Sequence, residues 1–244
     1  MNMEIAPGVF DLTPPKQGYL KGGYVHAFLI FHNEELVLID TLFDADAQVI
    51  LDEIQRIGKR VTDIKHIALT HGHRAHLGGL ATIKRLSDAP IYSHAWEADI
   101  IAGERSQQGV NLRPILNSLP AWPILFFGTF SGPLSQHKPA PVDMVVDEGA
   151  RIGPLRVLHT PGHTPGHLAF YWPERKILFT GDAFVTWPLI CPGWPNAMLN
   201  EKQTWASLKR MAALDVELVG VGHGAPITKN AGSVMRELAA RGKV

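Results

Sequence analysis

The sequence predicts an α/β protein built as a four-layer αββα sandwich. Three observations carry this. Strand-like and helix-like segments alternate through the first half. Strand signals return as a group after residue 141. Each half ends a strand in a histidine cluster, Thr70-His71-Gly72-His73 and His159-Thr160-Pro161-Gly162-His163. Two such halves, packed sheet to sheet with helices outside, give four layers and suggest a duplication at half-domain scale. The 244 residues suit one domain spanning 1–244.

The elements follow in order. Tyr24 to Phe31 and Glu35 to Asp40 are apolar strand runs around a tight Asn33-Glu34 turn. From Ala45 to Ile57, Val49, Ile50, Ile54 and Ile57 recur at helical spacing. Lys65 to Thr70 predicts a short buried strand, and Gly78-Gly79 leads into a helix ending near Ser87. Pro90 to Tyr92 is a brief strand, with Ser93 as the expected N-cap of a helix to about Glu104. Residues 105–141 hold six prolines and large apolar side chains, which predicts an inserted functional loop. Strands are expected at Met144 to Asp147, Leu155 to His159, His167 to Trp172, Lys176 to Thr180 and Val216 to Val221. Helices are expected at Lys202 to Leu214 and Ala231 to Arg241.

Composition narrows the function classes. Twenty-three basic and 23 acidic residues cancel, which removes the electrostatic drive toward nucleic acid or an anionic membrane. No apolar run is long enough to span a bilayer, and the first residues lack a secretory pattern. The lone cysteine, Cys191, rules out an internal disulfide, so a reduced, cytoplasmic protein is expected. Ile190-Cys191-Pro192 offers the thiol no paired base, and Cys191 is expected to be a small buried hydrophobe.

The chemistry lies in the histidines. Of 12, seven fall in three groups: His71, His73 and His76; His159, His163 and His167; and His223 in Gly222-His223-Gly224. Gly181-Asp182 adds a carboxylate. Each group directly follows a predicted strand, where a sheet-based fold can gather ligands from distant segments. Neutral imidazole suits zinc and other borderline first-row metals. His26, His32, His66, His94 and His137 stand alone and are expected to be ordinary packing histidines.

These residues resemble the metallo-β-lactamase superfamily. Its marker is His-x-His-x-Asp-His, then a histidine in Thr-Pro-Gly-His-Thr, an aspartate in Gly-Asp and a last histidine in Gly-His-Gly. The resemblance covers roughly residues 20 to 225, including Leu38-Ile39-Asp40-Thr41. It implies the αββα sandwich with a metal site at its open edge. His71, His73 and His163 would hold a first ion, Asp182 would bridge, and His76 and His223 would serve a second. Asp40 would support a ligand histidine from behind. The family's aspartate is Ala75 here. With one carboxylate fewer, the second site is expected to be weakened or empty.

The implied cofactor is zinc, one or two ions, with iron or manganese as alternatives. The implied chemistry is metal-assisted hydrolysis by metal-bound water, with no protein nucleophile. The family acts on lactones, thioesters, β-lactams, phosphoesters and sulfate esters. Neutral charge disfavours its nuclease branch, and the short C-terminal region disfavours its glyoxalase II branch. A small, partly apolar carbonyl ester (lactone, thioester or β-lactam) is the expected substrate, with Trp187 and Trp194 as its wall. Trp122, Phe126, Phe127 and Phe130 offer further apolar surface. Nucleic-acid and membrane partners are not expected; a homodimer is left open. Two alternatives stand: a mononuclear iron persulfide dioxygenase or oxygenase, and a binding protein whose catalysis Ala75 has impaired.

Overall fold

Leu168, Phe170 and Trp172 alternate with Ala169 and Tyr171 along one strand, and the two sets enter different cores. That alternation, repeated in both sheets, produces the layers. The protein is described from a computed structural model covering residues 3–13, 25–107, 137–187, 189–194 and 198–242.

Among these residues, one seven-stranded sheet has the order β1 (Met3–Ala6), β2 (Val9–Asp11), β3 (Phe28–His32), β4 (Glu35–Ile39), β5 (Ile64–Ala68), β6 (Ile91–Ser93), β7 (Met144–Val145). The first four strands run antiparallel and the last three continue parallel to β4. A five-stranded sheet holds β8 (Arg151–Ile152), β9 (Leu155–His159), β10 (Leu168–Trp172), β11 (Ile177–Phe179) and β14 (Leu218–Gly220) in the order β14-β11-β10-β9-β8. Only β11 and β14 pair in parallel there. A small ribbon joins β12 (Phe184–Val185) to β13 (Cys191–Pro192).

Three apolar clusters mark the three interfaces of a four-layer sandwich. Leu29, Leu36 and Leu38 face Ile50 and Ile54 of α1 (Gln48–Arg56) and Leu80 and Ile83 of α3 (Leu80–Ser87). Phe28, Ile30, Val37 and Ile39 meet Val157, Phe170 and Phe179 between the sheets. Leu158, Ala169, Tyr171 and Leu178 cover Leu208 and Met211 of α5 (Glu201–Ala212) and Met235 of α6 (Ala231–Arg241). Two further short helices, α2 (Arg74–Leu77) and α4 (Ala95–Ile101), lie beside the histidine loops.

Several expectations shift. The run from Tyr24 to Phe31 becomes a strand only at Phe28, although Val25 makes an isolated bridge to His223. Asn33 and Glu34 both have positive φ, as a tight hairpin turn between right-twisted strands requires. The N-cap of α4 is His94, not Ser93: its side chain accepts the Trp96 N–H at 3.0 Å, and the helix stops at Ile101. Strands β1 and β2 were not expected; at four and three residues they carry too little alternation to be read. Most of the expected insertion, with Trp122, Phe126, Phe127 and Phe130, lies outside the described residues.

The half-domain symmetry is real but differently phased. The order β2-β3-β4-β5 is matched by β9-β10-β11-β14: two antiparallel pairs, then a parallel one. The loop holding His71 therefore corresponds to the loop holding His223, and the loop after β9 corresponds to the one after β2.

Candidate metal centre

Four segments bring the site together. Thr70 to His76 follow β5, Thr160 to His167 join β9 to β10, Asp182 lies on a 3-10 turn after β11 (Gly181–Ala183), and His223 follows β14. His71, His73, His76, His163, Asp182 and His223 are all buried. Strand-end loops of both sheets thus meet at one edge of the sandwich.

Their donor atoms converge in two groups. In the first, His73 Nδ1 lies 3.0 Å from both His71 Nε2 and His163 Nε2. Asp182 Oδ2 stands 3.5 Å from His163 Nε2 and 3.9 Å from His71 Nε2. In the second, Asp182 Oδ1 is 3.5 Å from His76 Nε2, and Oδ2 is 3.3 Å from His223 Nε2. Two donors bound tetrahedrally to one ion at about 2.0–2.1 Å stand roughly 3.3–3.4 Å apart. The observed separations bracket that figure. His76 Nε2 and Asp182 Oδ1 are also buried without a hydrogen bond, a costly state for polar atoms that a cation relieves. These residues therefore fit a metal.

Residues behind the donors orient them. Asp40 accepts His76 Nδ1 at 2.9 Å, the Thr70 N–H at 2.9 Å and the Thr70 hydroxyl at 2.8 Å. With Nδ1 held by Asp40, the His76 ring turns Nε2 toward Asp182. Thr70 Oγ1 donates to Asp40, so it receives the proton of His71 Nδ1 at 3.0 Å and turns the His71 Nε2 lone pair inward. This is the carboxylate–histidine arrangement that fixes tautomer and ring orientation at metal sites. Asp40 itself holds a left-handed φ of 57°, a conformation kept where the surroundings over-determine it.

The charge balance is consistent. Burial pushes His71 and His163 well below the usual imidazole range and His73 down to about 4, so their lone pairs are available at neutral pH. Burial also opposes charge on His76, but Asp182 and Asp40 on either side raise it to about 10. Burial opposes charge on Asp182 too, and His223 and His76 hold it well below the carboxylate range. The space between His76 and Asp182 thus favours positive charge.

Sequence reasoning placed Asp40 and the six donors together. It missed three supporting residues. Thr70 is the relay just described. His167 accepts the Asp182 N–H on Nε2 at 3.1 Å and gives its Nδ1 proton to Thr160 Oγ1 at 2.8 Å; its place in the second histidine cluster was the available signal. Glu97 is buried against both histidine loops and had no sequence signal. Trp194, expected as a substrate wall, is 3% exposed and packs edge-on to His223 at 4.2 Å between ring centroids. It supports the histidine from within, because a side chain that buried offers almost no surface to a substrate. Trp187 lies half-buried beside it, ring centroids 5.4 Å apart. Ala75 is buried in the apolar cluster of the first helical layer.

The solitary histidines hold ordinary partners: His26 sits on Asp11 at 2.7 Å, His66 on Tyr92 at 3.1 Å and His137 on the Ile101 carbonyl at 2.8 Å. His94, His159 and Asp147 form another titratable group. There, however, His94 Nδ1 accepts a backbone N–H, which leaves the ring proton on Nε2 and blocks that donor. Cys191 donates to the Gly193 carbonyl, and burial pushes its thiol up to about 12, so it has no nucleophilic character.

Comparison with known proteins agrees with this geometry. The family model for the metallo-beta-lactamase superfamily matches residues 20–223. The probable metallo-hydrolase YflN of Bacillus subtilis is 35% identical over 222 residues, covering 84% of this chain and 81% of its own length. A hydroxyacylglutathione hydrolase of Ruegeria pomeroyi is 41% identical over 96 residues, 36% of this chain and 34% of its own. The crystal structure of TTHA1623 in a di-iron-bound form is 28% identical, with a TM-score of 0.63 over 92% of this chain and 97% of that one. The chain belongs to the metallo-beta-lactamase superfamily.

Proposed function

We propose that this protein is a metal-dependent hydrolase acting on a small carbonyl ester, with thioesters and lactones as the leading classes. The observation that carries the proposal is the convergence of four imidazoles from three loops on the single carboxylate of Asp182, two of them preset by Asp40, with His73 beside two of the four. His71, His73 and His163 would hold the first ion with Asp182, and His76 and His223 a second. A bound cation supplies Lewis acidity and activates water at neutral pH, which agrees with a site that has no protein nucleophile among the described residues.

The chain's own residues shape the rest. Asp40 and Thr70 hold imidazole tautomers, and His167 holds the Asp182 backbone. Trp187, with Leu189 and Ile190 exposed on the adjoining loop, offers an apolar wall for the acyl or leaving group. The thioester preference is supported by the likeness to hydroxyacylglutathione hydrolases. With Ala75 in place of a carboxylate, the second donor group keeps two imidazoles and one shared aspartate, so we infer a weaker second ion. Zinc suits this donor set; the di-iron form of TTHA1623 makes iron the second reading.

The test is metal identity and count per chain in protein as purified, followed by lactone, thioester, β-lactam and phosphodiester substrates with zinc, manganese and iron. Hydrolysis of a carbonyl ester, abolished by His163→Ala, is expected. Stoichiometric iron with oxygen uptake on a thiol substrate overturns the hydrolase reading. Silence on every substrate from folded, metal-loaded protein favours a binding role.

A further inference from the structure

Glu97 is fully buried in the first turn of α4, and each of its carboxylate oxygens faces a different loop. Oε2 accepts the Gly72 N–H at 3.0 Å. Oε1 accepts the Thr164 hydroxyl at 2.5 Å and the Gly166 N–H at 3.2 Å. Gly72 lies between His71 and His73, while Thr164 directly follows His163 and Gly166 directly precedes His167. The two loops come from different sheets, and this one carboxylate is bonded to both.

The close fit is written into the neighbouring residues. A Cβ added at Gly72 would stand 2.9 Å from Glu97 Oε2, and one at Gly166 would stand 2.9 Å from Oε1. Only glycine lets both backbones approach the carboxylate so closely. Glu97 is hydrogen-bonded to none of the six donor side chains, so it acts on them through backbone. Yet the contact it governs is the one an ion senses: His73 Nδ1 on one loop lies 3.0 Å from His163 Nε2 on the other.

We propose that Glu97 is a positioning residue: it fixes the separation of the two histidine loops and thereby the geometry of the first donor group. This deepens the metal-site reading and rests on it. Glutamine at this position keeps one acceptor but turns an NH₂ group toward donors on the other loop, so the two loops can no longer be held together by one side chain.

The experiment measures zinc affinity by competition with a chromophoric chelator, the visible spectrum of the cobalt(II)-substituted protein and the melting temperature of the metal-free protein. It compares wild type with Glu97→Gln and Thr164→Val. We expect Glu97→Gln to fold, to bind zinc about 10–100-fold more weakly and to change the cobalt spectrum. Thr164→Val, which removes one of the three bonds, is expected to change both in the same direction but less. A purely structural role would lower the melting temperature and leave zinc affinity and spectrum at wild-type values; that result overturns the proposal. Should Glu97→Gln fail to fold, Thr164→Val decides by the same two readouts. Wild-type protein that binds neither zinc nor cobalt strikes the metal-site reading itself, a distinguishable failure.

Discussion

Asp40 and Asp182 occupy equivalent places in the two halves of the molecule. Each follows the second strand of a hairpin, β3-β4 or β10-β11, whose partner across the next parallel pairing carries a histidine loop. Their surroundings differ. The oxygens of Asp40 are taken up by Thr70 and His76. Asp182 keeps Oδ1 without a hydrogen bond and is ringed by His71, His76, His163 and His223. A carboxylate whose acceptors are filled orients its neighbours; one left open in the same topological position can receive a cation. The difference lies in the partners, not in the backbone that delivers the side chain.

The comparison breaks most directly at Asp182. Asp182→Ala removes the group shared by both sets of donors, and metal content per chain by elemental analysis is expected to fall to near zero while the protein stays folded. Next comes Asp40→Asn. It leaves all six donors in place but frees the rings of His71 and His76. Metal affinity is expected to fall about 10–100-fold, and the metal-free protein to lose about 1–3 kcal/mol in denaturant unfolding because a buried network is left mismatched. If Asp40→Asn costs as much metal as Asp182→Ala, the two aspartates do not divide the work as argued. Ala75→Asp sharpens the contrast from the other side. A carboxylate beside His76 is expected to raise second-site occupancy, and to lower the melting temperature of the metal-free protein because it buries an uncompensated charge among apolar neighbours. An unchanged metal count would mean the second group is complete without it. The smallest effect is expected from Trp187→Ala: a KM for apolar esters raised several-fold with kcat nearly unchanged, read from steady-state kinetics.

The donor residues were legible because chemistry and position coincided. Histidines stand at short spacing after apolar strands, and Gly-Asp and Gly-His-Gly repeat the placement, so each motif points to one candidate metal centre. The helices α5 and α6 and strands β4, β9 and β10 were legible because each keeps a helical period or an apolar strand run over enough residues. What escaped depended on tertiary neighbours. Thr70 and Glu97 act through partners far away in sequence: Asp40 for one, Gly72 and Gly166 for the other. Trp194 carries an aromatic signal that suits a substrate wall or a buried brace equally well, and only its packing on His223 decides. The phase of the duplication escaped because the histidine clusters rhyme after β5 and β9, while the strand pairing matches β5 to β14.

The donors follow strands far apart along the chain, from β5 in its first third to β14 near its end. Ions bound to them would add a cross-link between two sheets that side-chain packing and a few backbone hydrogen bonds already join. Ligand that binds the native form alone adds stability in proportion to the logarithm of its excess, about 4 kcal/mol at roughly a thousandfold over Kd. Chelation should therefore loosen the seam between the halves, and limited proteolysis of the stripped protein should be faster than that of the loaded one.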